Sequence, residues 1–387
     1  MKNIAVFTGS RAEYGLLYWI IKGLHESKKI NLQLYVGGMH LSHEFGHTID
    51  CINEDGFKIN EKIDFLLSSD SPVGITKSMG LALISFADIF QRNSPDLLVI
   101  LGDRFESMAV CQAAAIAQIP IAHIHGGEIT EGAVDEAFRH SITKMSHLHF
   151  AATEEYRKRI IQLGKDPKNV HNFGSPGLDN IHNLRLLSRI DLAKVIKFDI
   201  TTNPYFVVTF HPVTLSKKGA KEDLSELINA LKEKIETYSF IITFPNSDAF
   251  GKEIITKLHD FQKAHPEKVL FSKSLGQIKY LSALKHSNGV IGNSSSGLIE
   301  APAFKIPTID IGIRQKGRVS GETVINVEGN SEKIINAINK SQTKKFEFAC
   351  KSSTNPYGSH GASAKIVKKI ESFSNQNIIY KKFHDVL

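Results

Sequence analysis

The sequence predicts an α/β protein made of two Rossmann-like, doubly wound domains facing a central cleft. Three observations predict it. Short apolar runs alternate with segments of helical period from Ile4 to Phe173. Gly174-Ser175-Pro176-Gly177 then breaks the pattern, and a polar, weakly periodic stretch runs to Pro204. A second alternating series begins at Tyr205 and continues to Val327. A chain of 387 residues suits about two domains. The expected boundaries are 1–175, completed by the C-terminal segment 365–387, and 176–364. Ligand is expected in the cleft between them.

Ile4–Thr8 reads as a strand, and Glu13–His25 as a helix with apolar residues at Leu16, Leu17, Ile20, Ile21 and Leu24. Leu32–Val36 is the next strand, followed by a Gly37-Gly38-Met39-His40 loop and a mixed segment to Phe65. Gly74–Gln91 reads as a long amphipathic helix stopped near Pro95. Strands at Leu97–Leu101 and Ile119–Ile124 are followed by helices at Glu106–Gln118 and Val134–Met145. Leu148–Ala151, a helix near Glu154–Leu163, and Val170–Phe173 complete the half. The second half places strands near Tyr205–Phe210, Phe240–Phe244, Val269–Phe271, Gly289–Ile291, Thr308–Ile311 and Val324–Val327. Its helices are Lys221–Glu236, Ala249–Ala264, Gly276–Lys285 and Ser295–Phe304. A last helix, from about Ser363 to Ser374, is expected to pack back on the first domain.

Composition narrows the function classes. Apolar content of 42% and charged content of 22% are ordinary for a globular enzyme. No run approaches the roughly 18 apolar residues of a membrane span. The N-terminus lacks the apolar core and cleavage site of a signal peptide. The cysteines, Cys51, Cys111 and Cys350, are odd in number and widely spaced, which argues for a reducing cytoplasm. The net charge of +7 comes from scattered lysines, without the basic stripe that nucleic-acid binding asks for. The arginines are more telling. Arg11, Arg104, Arg139, Arg314 and Arg318 each sit near a glycine, an acid or a strand end, where the guanidinium fork suits a bound anion.

The stretch from Leu97 to His140 carries the densest chemistry. Asp103, Arg104, His125, Glu128, Asp135 and Arg139 all follow consecutive strand ends. In an open parallel sheet, that is where ligands bind. Burial among acids raises a carboxylate pKa towards neutrality and makes it useful for proton transfer; the same residues also fit an ion-pair and helix-capping network, with Asp103 as an N-cap. Histidines are abundant. His123 and His125 are expected on one strand face, and His43 and His47 on one helix face. No metal is expected, because no compact ligand signature such as H-E-x-x-H is present.

Two loops suit a phosphate. Thr8-Gly9-Ser10-Arg11 follows the first strand; it is neither a dinucleotide fingerprint nor a Walker loop, but its amides, with Arg11, can face an anion. Gly292-Asn293-Ser294-Ser295-Ser296-Gly297 ends a strand and opens a helix, which offers free amides and hydroxyls to a diphosphate. Glu300, farther into that helix, is placed to accept the hydroxyls of a ribose, and Arg314 adds a cation. His211 follows the strand Tyr205–Phe210 and faces the crevice. Asn246 lies at the tip of the analogous loop one strand later.

Taken together, these motifs resemble the hydrolysing UDP-N-acetylglucosamine 2-epimerases of bacterial sialic acid synthesis. The matching pieces are TGSRAEYG at 8–15, GGMH at 37–40, LGDRFE at 101–106, HIHGGE at 123–128 and VDEAFRHSITKMSH at 134–147. They continue with FHPVT at 210–214, GNSSSGLIEAP at 292–302, GIRQKGR at 312–318 and NPYG at 355–358. The resemblance implies a glycosyltransferase-B-like fold and anti elimination of UDP from UDP-N-acetylglucosamine through 2-acetamidoglucal. Hydration then gives N-acetylmannosamine, with no cofactor. By motif, Arg11, His211, Ser294 and Ser295 would hold the diphosphate, Glu300 the ribose, and Arg314 the same end of the site. Asp103, His125 and Asp135 would be the proton-transfer groups, with Arg104 and Arg139 nearby. Many relatives carry Glu where this chain has His125, so the base is His125, Asp103 or Asp135; histidine at this position also occurs in the sialic acid branch. Alternatives with the same motifs are a UDP-2,4-diacetamido-6-deoxyhexose substrate, a non-hydrolysing epimerase and a retaining glycosyltransferase. The resemblance also suggests a homodimer or homotetramer, and the long apolar helix Gly74–Gln91 is one place for a partner to pack.

Overall fold

A computed structural model gives the architecture, and it describes all residues except 70, 132–133, 212–218, 245–250, 375–377 and 387. In chain order, the first half comprises β1 (Lys2–Thr8), α1 (Arg11–Glu26), β2 (Ile30–Gly37), α2 (Ile49–Glu54), β3 (Ile59–Ile63) and α3 (Pro72–Asn93). It continues with β4 (Leu97–Leu101), α4 (Phe105–Ile116), β5 (Ile121–Ile124), α5 (Asp135–Met145), β6 (Leu148–Ala151), α6 (Glu154–Gln162), β7 (Val170–Asn172) and α7 (Gly177–Asn183). The second half holds α8 (Arg189–Ile196), β8 (Tyr205–Thr209), α9 (Gly219–Glu233), β9 (Ser239–Thr243), α10 (Gly251–Ala264), β10 (Val269–Ser272) and α11 (Gln277–His286). Then come β11 (Val290–Gly292), α12 (Ser296–Ile299), β12 (Thr308–Ile311), β13 (Val324–Val327), α13 (Ser331–Ser341), α14 (Lys344–Ser352) and α15 (Ala362–Glu371).

The chain divides into two compact units. One is Met1–Glu128, Asp135–Asn180 and Tyr357–Leu387; the other is Ile129–Val134 and Ile181–Pro356. Each is built on one parallel sheet, as the alternation of strands and helices predicts. The strand orders are β3-β2-β1-β4-β5-β6-β7 and β10-β9-β8-β11-β12-β13. β1 therefore lies between β2 and β4, and β8 between β9 and β11. These are the points where the winding reverses, and the loops beyond their carboxyl ends border a ligand crevice.

Local chemistry explains the elements that flank those loops. Ser10 and Glu13 form a capping box that starts α1, whose buried stripe is Tyr14, Leu17, Ile20, Ile21 and Leu24. β4 reads Leu-Leu-Val-Ile-Leu and is buried on both faces, the pattern of a central parallel strand. α3 begins with Ser71 capping the Gly74 amide and Pro72 in the first turn. By length and composition this 22-residue helix is apolar enough to cross a bilayer, contrary to the sequence reading, but core helices pass the same test. It buries one face, Gly74, Ser78, Ala82, Phe86, Ile89 and Phe90, and packs on α4.

Some elements differ from expectation. β3, Ile-Asn-Glu-Lys-Ile, buries only Ile63, so its alternation was weak within the mixed segment. α7 and α8 lie in the stretch read as a connection; Ser188 caps α8 and Lys197, at φ +54°, ends it. α13 and α14 follow the last strand, where no helix was expected. The helix predicted at Ser295–Phe304 breaks after Ile299 into a 3-10 turn, Ala301–Phe304, because Pro302 brings no N–H to continue the ladder.

α15 packs on α1 as expected; a Cβ on Gly23 would lie 2.9 Å from Val367 Cγ2. Its start is capped from α7. The Asp179 carboxylate accepts the Gly361 amide and, at 2.7 Å, the Ser363 amide. Asp179→Ala strips two amides of their acceptor and is expected to cost about 2 kcal/mol. A lower urea midpoint with an unchanged slope would record that loss.

Candidate active site

In the first unit, the ends of β4 and β5 converge on α5. Arg139, in the second turn of α5, is 1% exposed and pairs with the Asp103 carboxylate. Its Nη1 lies 3.7 Å from Glu128 Oε2. A buried guanidinium cannot shed its charge, so it requires these carboxylates. The other Glu128 oxygen meets His125 Nδ1 at 2.5 Å, and His125 Nε2 lies 3.2 Å from Ser175 Oγ. An ionised carboxylate only accepts, so Nδ1 carries a proton, and Nε2 is the nitrogen turned away from the carboxylate. His125 adopts φ +64°, a left-handed backbone that is uncommon outside glycine and turns its ring out of the strand's alternation. Asp103 follows β4 without capping α4, whose N-cap is Arg104. Asp135 opens α5, one turn from Arg139 on the same helix.

Beside this cluster, the loops after β1 and β4 are tied by buried charge. Arg104 forks onto Glu106, with both N···O distances at 3.1 Å, and Glu106 is fully buried. Glu13 Oε2 accepts the Gly9 amide at 2.7 Å and the Ser10 amide at 3.1 Å. Those are the amides the sequence reading offered to a phosphate, and the protein's own carboxylate occupies them. Burial, followed by the nearby charge of Glu106, raises the Glu13 pKa to about 7, against the lowering pull of Arg104.

The other histidines of this region are structural. His123 Nε2 meets the Gly102 carbonyl at 2.7 Å, its Nδ1 meets Thr143 Oγ1 at 3.1 Å, and burial depresses its pKa to about 4. It is therefore neutral, and the turn at His125 removes the shared strand face expected for the pair. His43 and His47 stack at 4.5 Å, but across a 3-10 turn rather than along an α-helix. Among the described residues, no group of three or more histidines, cysteines and acids is arranged to hold a metal.

In the second unit, the loops after β8, β11 and β12 meet at Asn293. Its Oδ1 accepts the His211 amide at 2.7 Å, and its Nδ2 donates to the His211 carbonyl at 2.9 Å. Its own carbonyl accepts Gln315 Nε2 at 2.7 Å and Arg314 Nη1 at 3.2 Å. Gly292, at φ +136°, makes the turn possible, because a Cβ there would lie 2.0 Å from the Thr209 carbonyl oxygen. The amides of Ser294 and Ser295 meet no acceptor among the described residues. Ser296 Oγ accepts from Tyr280, whose hydroxyl pKa is pushed up to about 12, chiefly by burial. α12 has four residues, so its dipole adds little; amides and hydroxyls are this loop's donors. Glu300 is the C-cap of α12 and is half-buried. A cavity of about 580 Å³ lies next to this loop, lined by Asp310, Gln315 and Arg318 among others. Burial lifts the Asp310 pKa to about 7, while Arg314 and Arg318 pull it down.

The sequence-predicted residues thus fall into separate groups. Asp103, His125 and Arg139 come together in the first unit, with Asp135 on the same helix as Arg139; Arg104 turns to Glu106, and Arg11 is half-buried in the first turn of α1. His211, Ser294, Ser295, Glu300 and Arg314 lie in the second unit. Asn246 lies outside the described residues. Sequence reasoning passed over Ser175, Asn293 and Glu106, and gave Glu128 no role of its own. The Ser10-x-x-Glu13 capping-box spacing could have shown that the first loop's amides were taken.

Two parallel-sheet α/β units, one ending in an acid–histidine–arginine cluster and the other in a serine, asparagine and arginine loop, define an enzyme of the glycosyltransferase-B type of fold. The family model for UDP-N-acetylglucosamine 2-epimerase matches residues 22–371, and the chain belongs to that family. It is 43% identical over 387 residues to the polysialic acid biosynthesis protein P7 of Escherichia coli, covering all of this chain and 98% of the relative. It is 38% identical over 386 residues to a GDP/UDP-N,N'-diacetylbacillosamine 2-epimerase (hydrolyzing) of Campylobacter jejuni, covering 100% and 99% of the two chains. In fold it matches the UDP-GlcNAc 2-epimerase of Neisseria meningitidis bound to UDP-GlcNAc, with a TM-score of 0.82, 20% identity, and coverage of 96% of this chain and 100% of that one.

The raised Glu13 pKa gives the fold a pH dependence below neutrality. The protonated form is favoured in the folded state, so this stability is full below about pH 4.5 and is lost as pH rises through about 7. Glu13→Gln keeps an acceptor for the Gly9 amide and removes that slope, while Asp310, raised in the same direction, still contributes its own. Urea midpoints at about pH 5 and about pH 8 are expected to show the variant gaining on the wild type at the higher pH.

Proposed function

We propose that the chain is a hydrolysing 2-epimerase that converts UDP-N-acetylglucosamine and water to N-acetylmannosamine and UDP, the entry step to sialic acid. The observation that carries this reading is the His125–Glu128 pair, an imidazole with one nitrogen on the carboxylate and the other turned away from it, beside the Asp103–Arg139 ion pair. A weakly acidic C2–H needs a base. In the elimination, the base takes the C2 proton, the C–H electrons form the C1–C2 double bond, and the C1–O bond breaks with its pair leaving on UDP. In the hydration, water adds hydroxyl to C1 of the 2-acetamidoglucal, and an acid returns a proton to C2 on the face that gives the manno product. Asp103, His125 and Asp135 supply these transfers, with Arg139 holding Asp103 in place and Arg104 nearby.

The second unit takes the nucleotide. Ser294 and Ser295 offer amides and hydroxyls to the diphosphate, and His211 and Arg314 offset the charge that grows on it as it leaves. Glu300 accepts the ribose hydroxyls. A second reading, the same chemistry on a UDP-2,4-diacetamido-6-deoxyhexose, is favoured by the 38% identity to the Campylobacter jejuni diacetylbacillosamine epimerase.

Incubating the protein with each UDP-sugar and following products by NMR separates these readings. The expected result is free UDP and N-acetylmannosamine from UDP-N-acetylglucosamine without an acceptor, unchanged by a metal chelator. UDP-N-acetylmannosamine that keeps its UDP would overturn hydrolysis, and faster turnover of the diacetamido sugar would reassign the substrate. Asp103→Asn is expected to lower turnover by about a hundredfold or more while UDP affinity persists, as for loss of a proton-transfer group. Normal activity in that variant would remove Asp103 from the mechanism.

A further inference from the structure

Asn293 has no role in the reaction just described, yet it is fully buried and every polar atom it has is bonded. Its amide donates to the Thr209 carbonyl at 3.1 Å, continuing the pairing of β11 with β8. Its side chain closes a two-way clamp on the main chain of His211, accepting the amide at 2.7 Å and donating to the carbonyl at 2.9 Å. Its carbonyl holds the loop after β12 through Gln315 at 2.7 Å and Arg314 at 3.2 Å. Gln315 is itself buried, so this last contact is not a surface accident. Three loops from three strands therefore meet on one residue.

We propose that Asn293 is a positioning residue that holds His211, the serine loop and the arginine loop of the second unit as one body. The chemistry selects asparagine. The clamp needs an acceptor and a donor on the same short side chain. Aspartate has no donor for the His211 carbonyl, serine is too short to span both groups, and glutamine is one methylene too long. Gly292 is the complement, since any side chain there would strike the Thr209 carbonyl and push Asn293 out of reach. Ser294 begins one bond beyond the pinned Asn293 carbonyl. The amides of Ser294 and Ser295 and the His211 main chain thus keep a fixed mutual geometry before any ligand arrives, and pre-organisation of this kind strengthens charge stabilisation. The inference rests on the reading in which His211 and the serine loop receive the UDP diphosphate.

A double-mutant cycle tests it. Asn293→Asp preserves the shape and removes the donor. It is expected to weaken UDP binding, read by titration calorimetry, and to slow turnover, each by about tenfold or more. Made in the His211→Ala background, it is expected to cost clearly less in turnover, because the ring it positions is gone. Equal fold losses in the two backgrounds would show Asn293 acting only on general stability and would overturn the proposal. Gln315→Leu leaves the clamp intact and frees the Asn293 carbonyl from one donor. A loss of UDP affinity in that variant supports the proposal, and unchanged affinity and turnover overturn the link to the arginine loop even where Asn293→Asp fails to fold. The calorimetry uses UDP alone. A wild type that binds UDP but releases none from either UDP-sugar would defeat the proposed reaction without touching this inference.

Discussion

Arg139 keeps a full positive charge at 1% exposure, and the rest of the first unit's site is arranged around that fact. The loop after β4 sends Asp103 to it, and the loop after β5 sends Glu128. One cation thus ties two neighbouring strand ends to α5. With Arg139 in place, a Glu128 that is 2% exposed can remain ionised, and its second oxygen can hold the His125 Nδ1 proton. The guanidinium and the carboxylates depend on each other, and the Glu128 carboxylate in turn orients the imidazole. Breaking a buried pair of this kind costs about 3–5 kcal/mol, because the remaining charge is left without compensation.

The two units solve the same geometric task with different chemistry. The first unit fills its switch point with its own ions. Glu13 takes the loop amides, and Arg104 is committed to Glu106. The second unit has amides at Ser294 and Ser295 that meet no acceptor among the described residues, and it uses a neutral amide, Asn293, to hold its loops. A loop whose donors are already satisfied is poorly suited to an incoming anion, and one whose donors are open is well suited. Proton transfer and anion binding thereby divide between the units in the proposed reaction.

Most of the fold was legible because its signal is local. β4 and β8 are continuous apolar runs, and the helices between strands carry a clear 3.6-residue period. β3, α7, α8 and α14 escaped because they are short or mostly half-exposed, so their apolar pattern is sparse; α13 was missed although Ile334, Ala337 and Ile338 mark its buried face. The site was legible as a list of residues near strand ends, but not as a set of partnerships. Nothing in the sequence says that Arg104 turns to Glu106 and Arg139 to Asp103, because both choices satisfy the same charge rule. Asn293 was read as part of a serine turn, since its bonds go to main-chain groups 82 residues away along the chain.

The path of the chain also limits how the enzyme can be taken apart. After Glu128 it lends Ile129–Val134 to the second unit, where Arg318 Nε reaches the Ile129 carbonyl at 3.2 Å, and it returns to the first unit at Asp135. The terminal segment from Tyr357 completes the first unit, with the Tyr357 hydroxyl 2.9 Å from that of Tyr156. No single cut yields either unit whole. Exchange of the second unit between relatives therefore calls for grafting an internal insert, 181–356, together with a six-residue loop far upstream, rather than joining one head to another tail. A single junction would leave both units incomplete.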